Sequence, residues 1–369
     1  MNHRLRLHSR LAAVLVVVAV ASVFVPTASL QAAKPARVTV MTRNLYLGSG
    51  LTNLATASSF DELVKAVTVD WNNIVANDFP RRAKALATEI QLTRPDVVGL
   101  QEAMLFREQL VSDIVQGNLT PNATVEVYDF VEILQSQLAA RGILYREVSR
   151  SVNGDAEAPR LNAESPIGFT DVRLTDHDVI LVRAAIADKF SNPQDGHYHA
   201  QFSVPSIGGP LTFTRGWASI DYAIAPGRTV RVFDTHLEST GSAAAEDVQV
   251  AQGNEAVALI NESDDPVIAL GDFNSAADGS TTPTYANLIG AGLQDVWTSV
   301  QPFNPGRTCC QPELLDRFRA PSERIDLILT DGSWHARLAV RTGILPFRLS
   351  PPPLWASDHF GVFATLELR

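Results

Sequence analysis

Short apolar runs alternate with stretches of helical periodicity along most of this chain of 369 residues. The runs VVGLQE and VIALGDFN are typical of buried strands, because each is short, apolar and closed by polar residues. The spacing of apolar positions predicts helices over RRAKALATEIQLT, Phe106–Val115 and Phe130–Arg141, and composition predicts a further helix over Ala243–Ile260. Strand patterns become more frequent from Leu144 onward.

The order of these segments predicts the fold class. Helical segments lie between strands in both halves of the chain, and no repeat or Gly/Ser linker divides residues 37–369. We therefore expect a single α/β domain over 37–369, built as a four-layer sandwich of two packed mixed β-sheets flanked by helices. Residues Ser49–Asp78 are predicted to be a loop with a helical piece, and Asn153–Thr170 a long loop.

The first 33 residues have a different composition. A basic stretch, MNHRLRLHSR, precedes the apolar LAAVLVVVAVASVFV, and small residues follow in PTASLQAA. This three-part layout is typical of a secretory signal peptide, with cleavage between Ala28 and Ala33. An uncleaved anchor is the alternative, although the strongly apolar part is shorter than the roughly 20 residues that a span needs. We expect residues 1–33 to be a signal peptide and the protein to be secreted or extracytoplasmic.

The charge of the chain limits its modes of binding. The formal net charge is −10, and removal of residues 1–33, which contain Arg4, Arg6 and Arg10 and no acid, makes it −13. Tight, unspecific binding of nucleic acids depends on Lys and Arg, so it is not expected here. A nuclease in which a metal ion supplies local positive charge remains compatible with this composition.

Cys309 and Cys310 are the only cysteines and are adjacent. In an exported protein they form either a vicinal disulfide or two free thiols, and the sequence leaves both open. A zinc site is not expected, because no other cysteine completes one.

Several strand-like runs end in side chains that can bind metals or carry protons. Each residue alone is typical of a turn. Their recurrence at successive strand ends indicates one functional edge of the sheets, because loops that carry function gather there. The residues are Asn44, Glu102, His236, Asp272, Asn274, Asp358 and His359, with Asp326 in front of a further run.

The motifs around these residues resemble those of one enzyme family. TRNLY, PDVVGLQE, THLES, ALGDFNS, RIDLIL and SDHFGV follow one another between Arg43 and Val362. In this order they resemble the endonuclease/exonuclease/phosphatase superfamily, which includes pancreatic-type deoxyribonucleases, abasic-site endonucleases, inositol-phosphate phosphatases and neutral sphingomyelinases. GDFN with a downstream SDH is the most specific part. The resemblance implies metal-assisted hydrolysis of phosphoesters.

The resemblance also implies the metal site. Mg²⁺ is the expected ion, with Mn²⁺ or Ca²⁺ as alternatives, because hard cations take oxygen ligands. Glu102 is the implied principal carboxylate, Asn44 supports it through its amide oxygen, and Asp358 reaches the metal or its waters.

Catalytic roles follow from the same resemblance. Asp272 orients or deprotonates the attacking water, and Asn274 holds that water or a phosphate oxygen. His359 contacts a non-bridging oxygen as a cation, and Asp326 is implied as the carboxylate that orients it and raises its pKa.

His236 distinguishes the branches of the family. A histidine in the THL motif resembles the deoxyribonuclease and sphingomyelinase branches, where it stabilises the transition state or protonates the leaving oxygen. Arg43 and Asp178 lie near family site positions and are further candidates behind the site.

These observations predict a secreted, Mg²⁺-dependent phosphodiesterase, first of all a nuclease. The alternatives are a sphingomyelinase-type phospholipase C, a phosphatase of small phosphoesters, and a non-catalytic binding protein. For the lipid alternative, the segment Ile344–Trp355 is a candidate membrane-docking loop, against its simpler interpretation as a proline-stiffened surface loop. The expected partner is a phosphodiester substrate, either a nucleic acid or a phospholipid head group. No stable protein partner is implied, and a monomer is expected.

Overall fold

The computed structural model describes residues 36–51, 54, 56–205, 210–349 and 352–369. The predicted signal peptide, residues 1–33, lies outside the described residues. Among the helices in these described ranges, none is both long enough and apolar enough to span a bilayer.

Eight strands form the first sheet, which is mixed. The strand order is β15 (Trp334–Thr342), β16 (Gly361–Leu368), β1 (Arg37–Asn44), β2 (Val97–Gln101), β6 (Phe169–Arg183), β3 (Leu105–Gln109) and β4 (Val125–Asp129), with β5 (Tyr145–Leu161) paired to β6. β1 and β2 are parallel, whereas β1 and β16 are antiparallel. The first and last strands of the described chain are therefore neighbours in this sheet.

Six strands form the second sheet. Its order is β13 (Gln294–Asp295), β14 (Asp326–Thr330), β12 (Val267–Asp272), β11 (Arg228–His236), β10 (Gly216–Ala225) and β7 (Phe190–His197). β11 and β12 are parallel, and β14 runs antiparallel to β12. A separate small hairpin consists of β8 (Phe202–Val204) and β9 (Leu211–Phe213).

Successive side chains of each strand point to opposite faces of its sheet, so one face packs against the other sheet and the other face against helices. Val40 and Val97 join a core with Val232 and Ile268 between the sheets. The opposite face of the first sheet packs on α1 (Phe60–Ala76), α2 (Phe79–Thr93) and α3 (Phe130–Ala139). The second sheet packs on α4 (Ala243–Asn261) and α5 (Thr284–Gly290), and a short helix, α6 (Val296–Val300), adds to the core between the sheets. The predicted four-layer α/β sandwich is confirmed.

The predicted helix over Phe106–Val115 is wrong. Leu105–Gln109 is instead a strand that pairs with β4 and β6, and a single 3₁₀ turn follows at Ile114–Gln116. Phe106 is buried while its neighbours are half-buried, which is the alternation of a strand. The run is too short for its spacing to separate the two periods, and pairing with β6 decides the outcome.

Two segments expected to be mainly loops are more regular than predicted. Within Ser49–Asp78, α1 occupies 17 residues; Ser59 accepts a hydrogen bond from the Glu62 backbone N–H at its start, and Trp71 and Ile74 are buried on one face. Within Asn153–Thr170, β5 continues to Leu161 and β6 begins at Phe169. Pro159 is tolerated in β5 because only β6 pairs with that part of the strand.

Candidate active site

The two parallel strand pairs bring the polar strand ends together. Asn44 ends β1 beside the end of β2, where Glu102 follows. His236 and Asp272 end β11 and β12 and lie opposite each other in register, and Asp272 lies opposite Asp326 at the start of β14. Carboxyl ends of parallel strands meet at one edge of a sheet, so both sheets deliver their polar ends to the same place.

Asn44 connects the two halves of the site. Its Nδ2 donates to Glu102 Oε1 over 3.0 Å and to Asp272 Oδ2 over 3.1 Å. Its Oδ1 accepts the Tyr46 backbone N–H over 2.8 Å. The side chain is 1% exposed, so this geometry is fixed. The amide nitrogen, rather than the oxygen expected from the sequence, faces the carboxylates.

Glu102 and Asp358 are neighbouring carboxylates that both line the cleft. Glu102 has a positive φ of 53° directly after β2, and its Oε2 accepts the Leu47 backbone N–H over 2.6 Å. Burial, and the negative charge of Glu102, raise the pKa of Asp358 to about 7 although His359 and Arg82 oppose this. Two neighbouring carboxylates are oxygen donors that suit a hard divalent cation. These residues therefore fit a divalent metal.

His359 is held as a buried cation. Its Nδ1 lies 2.9 Å from Asp326 Oδ2 and 3.6 Å from Asp272 Oδ2. Burial alone would lower the pKa of His359, but Asp326, Asp358 and Asp272 together raise it well above its usual value. The imidazolium is thus the favoured form at neutral pH. The structure places Asp326 on the far nitrogen, as expected from the sequence.

His236, unlike His359, is held as a neutral imidazole. Arg215 Nη1 lies 3.0 Å from His236 Nδ1 and 3.4 Å from its Nε2, so this cation faces the imidazole ring directly. Nε2 lies 3.2 Å from Asn274 Nδ2 and 3.7 Å from Asp272 Oδ2. Burial, with the positive charges of Arg215 and His359, lowers the pKa of His236 well below its usual value. The site therefore contains one cationic and one neutral histidine.

Asp272 lies between the two histidines. Its Oδ1 accepts the Asn274 backbone N–H over 3.0 Å, and Asn274 Nδ2 also donates to the Leu237 carbonyl over 2.9 Å. Burial raises the pKa of Asp272 to about 6, while His359 lowers it. A carboxyl group with a pKa near neutrality can exchange protons at working pH.

Arg215 is a site residue that the sequence did not reveal. It lies in the cleft beside His236, and its guanidinium is 3.5 Å from Glu238 Oε2. The negative charges of Glu238, Asp176 and Glu102 raise its pKa although burial acts against them. The only signal was a charged residue inside the strand-like run LTFTRGWASI, which lies outside every recognised motif.

Arg43 and Asp178 lie behind the site. Arg43 is 1% exposed; it donates to the His359 carbonyl over 2.6 Å and pairs with Glu89 at 3.2 Å, so it fixes the backbone next to His359. Asp178 is fully buried and accepts from Asn153 Nδ2 over 3.0 Å. Asp176, two residues earlier, lines the cleft instead.

The loop that carries both cysteines also supports the site. Cys309 and Cys310 are joined by a disulfide, which is one of the two states that the sequence left open. Cys310 Sγ lies 4.0 Å from His359 Nε2, and the Gln311 backbone N–H donates to the Asp358 carbonyl over 2.7 Å. The disulfide-bonded loop therefore packs directly against the SDH segment.

A buried arginine holds the chain next to Asn44. Arg82 is 2% exposed, and its guanidinium donates to backbone carbonyls at distances from 2.6 to 3.2 Å. The acceptors are Leu45, Tyr46, Asn77 and Ala356. These bonds join the segments after β1 and before Asp358.

Replacing Arg82 with methionine should strongly destabilise the protein. The change leaves four buried carbonyls without a donor, so we expect a loss of about 3–5 kcal/mol in the free energy of unfolding. Denaturant unfolding followed by circular dichroism measures this loss. Arg81→Met, at the exposed neighbouring position, is the control and should change stability by less than about 0.5 kcal/mol.

A cleft of about 510 Å³ contains these groups. Its polar end is formed by Glu102, Arg215, His236, Asp272 and His359, and it continues along α1 and the β5–β6 hairpin. Acidic and cationic groups at the end of a cleft can bind a metal ion and an anionic ester together.

Comparison with known proteins supports this picture. The sequence profile described as Endonuclease/Exonuclease/phosphatase family matches residues 69–359. No curated protein matches the chain significantly.

Solved structures share the fold. A protein of the endonuclease/exonuclease/phosphatase family from Bacteroides thetaiotaomicron is 17% identical, with a TM-score of 0.54, over 91% of this chain and 99% of its own. One from Leptotrichia buccalis is 15% identical, with a TM-score of 0.54, over 90% and 100%. A mannosyl-6-phosphatase from B. thetaiotaomicron is 18% identical, with a TM-score of 0.51, over 89% and 99%.

Proposed function

Because the chain belongs to the endonuclease/exonuclease/phosphatase family, whose members hydrolyse phosphoesters, we propose that it is a divalent-metal-dependent phosphodiesterase. One observation carries the proposal: Asn44 links Glu102, a metal-binding carboxylate, to Asp272, a proton acceptor, beside the cationic His359. Phosphodiester hydrolysis needs these three functions within a few ångströms of one phosphorus atom.

Mg²⁺ is the proposed ion, and Glu102 and Asp358 are its proposed protein ligands. When bound, such an ion neutralises charge on the phosphate and on the departing oxygen. Asn44 acts by holding Glu102 in place through its Nδ2, since its oxygen is engaged with the Tyr46 N–H. Two carboxylates and remaining positions for water and phosphate are the usual protein environment of Mg²⁺.

The chain's own residues supply the proton transfers. Asp272 accepts the proton of the attacking water, for which its raised pKa is suited, and Asn274 holds that water in line. His359 stabilises negative charge on a non-bridging oxygen, with Asp326 keeping it protonated and oriented. Neutral His236 contacts the phosphate or the leaving oxygen, and Arg215 and Asn274 hold its ring in place.

The substrate is either a nucleic acid or a phosphodiester of a small or lipid alcohol. A nuclease is the first expectation from the sequence motifs, and the acidic composition limits it to binding through the site itself. Export through the N-terminal segment is part of the proposal, and it places the substrate outside the cytoplasm.

Metal removal should abolish hydrolysis. We expect the protein from residue 34 onward to cleave linear duplex DNA or release choline phosphate from sphingomyelin vesicles with Mg²⁺, and to lose at least about 99% of that activity in EDTA. His359→Ala serves as the blank for contaminating hydrolases. Equal rates with Mg²⁺ and EDTA would refute metal dependence; activity on DNA alone would select the nuclease, and activity on the vesicles alone the lipid enzyme.

A further inference from the structure

The cleft does not end at the charged groups. Beyond them it is lined by six apolar side chains, five of them buried and Leu174 half-buried, which we call the apolar arm: Trp71, Ile74, Met104, Phe106, Val172 and Leu174. We propose that the apolar arm binds an alkyl or acyl substituent of the substrate, so that the enzyme acts on amphiphilic phosphoesters. This inference rests on the proposed function of the same site.

Strand alternation places the arm directly beside the site. Asp176, Leu174 and Val172 are alternate residues of β6, and all three line the cleft. Alternate residues on one face are about 7 Å apart, so the surface changes from charged to apolar within one side-chain spacing. Met104 and Phe106 repeat the change after Glu102, and Phe106 lies opposite Leu174 in register.

Helix α1 forms the other wall. Trp71 and Ile74 are on one helical face, and both line the cleft as well as the core. Native cores contain few voids larger than a water molecule. The apolar lining and the charged groups belong to one continuous cleft, and a cleft that joins apolar lining to a charged site has the form of a ligand pocket.

Most polar groups beside the apolar arm already have hydrogen-bond or ion-pair partners, and one could bind a polar group of the ester. On the hairpin side, Asp155 is paired with Arg173, and Glu157 Oε2 accepts the backbone N–H groups of Asn122 and Ala123. Asp70, on α1, accepts from Ser49 Oγ through Oδ1, and its buried Oδ2 has no partner among the described residues. A hydroxyl or amide near the phosphate of an amphiphile would satisfy that oxygen.

Duplex nucleic acid makes poor use of this shape. Its contacts are mostly between cationic side chains and phosphates, whereas the lining of the arm is apolar. A phosphoester with one apolar substituent fits both ends of the cleft. Its phosphate binds at the charged end, and its alkyl chain displaces water from the apolar arm.

Binding of n-alkylphosphonates tests the proposal without depending on turnover. The probes are methyl-, butyl- and hexylphosphonate, titrated calorimetrically into the Mg²⁺-loaded protein below their micellar concentrations. We expect one ligand per chain and a Kd that falls about fourfold for each methylene that becomes fully buried. A Kd independent of chain length would overturn the inference.

Leu174 variants localise the effect. Leu174→Asn and Leu174→Phe should weaken hexylphosphonate at least tenfold and change methylphosphonate less than twofold; the second variant serves if the first does not fold. Leu92→Asn is the matched control, because Leu92 is 80% exposed on α2. Unchanged hexylphosphonate binding in a folded Leu174 variant would refute the assignment.

The phosphodiesterase proposal is judged separately. Hydrolysis of DNA with a flat chain-length series would keep the proposed function and remove the apolar arm from it. A steep series with no hydrolysis of any phosphodiester would keep the binding site and reject the enzyme.

Discussion

Replacing Glu102 with glutamine should lower kcat/KM about a thousandfold, equivalent to about 4 kcal/mol of transition-state stabilisation. The change removes a negative charge from the proposed metal site and preserves the shape of the side chain. It also exchanges an acceptor for an amide, which can no longer accept from both Asn44 and the Leu47 N–H. Kinetics at saturating Mg²⁺ measure the loss.

Metal binding gives a second measurement on the same variant. Mg²⁺ should raise the Tm of the natural protein by binding only the folded state, and this rise should disappear in Glu102→Gln. Glu126→Gln, at an exposed position on β4, should keep both activity and the thermal shift. A Glu102→Gln enzyme within tenfold of the natural one would show that Glu102 is not the principal metal carboxylate.

Removing the cation at position 359 should be almost as damaging. His359→Ala is expected to reduce kcat/KM by about 10²–10³, the usual cost of losing one group that stabilises transition-state charge. The loss should appear throughout the pH range in which His359 is normally protonated, because the variant has no titratable group at this position. Activity within fivefold of the natural enzyme would contradict a role for His359 in charge stabilisation.

Asp326→Asn tests the charge of His359 while leaving the His359 side chain in place. The three neighbouring carboxylates keep His359 protonated to higher pH than an ordinary histidine. Losing the Asp326 charge lowers the pKa of His359, so the cation is lost at lower pH and the alkaline limb of the kcat/KM profile moves to lower pH. Asp188→Asn, exposed and remote, should leave the profile unchanged. An identical profile in Asp326→Asn would exclude this coupling.

The sequence predicts much of this architecture because strand ends carry its chemistry. An apolar run followed by Asn, Asp, Glu or His identifies a buried strand and its polar end together, and this pattern predicted the positions of Asn44, Glu102 and Asp272 that the structure brings together. The four layers were also predictable. Helices that alternate with strands along the chain must cover the outer faces of the sheets, and few arrangements allow this.

What the sequence did not reveal depends on contacts between distant segments. In the sequence Arg82 resembles its neighbour Arg81, an exposed arginine at the start of α2. Its burial is explained by backbone carbonyls, among them those of Leu45 and Ala356, which come from distant segments. Arg215 acts through His236, which follows it on the next strand and belongs to a separate motif. Phe106 was assigned to a helix because pairing with β6 is a tertiary property.

The order of strands in the first sheet also sets the timing of activity during synthesis. β1 is made first and β16 last, yet they are adjacent, and Arg43 bonds to His359 across 316 positions of sequence. Until the SDHFG segment has left the ribosome, Asn44 and Glu102 have been synthesised but Asp358 and His359 cannot join them. Nascent chains in transit would therefore carry the components of a hydrolase without its activity.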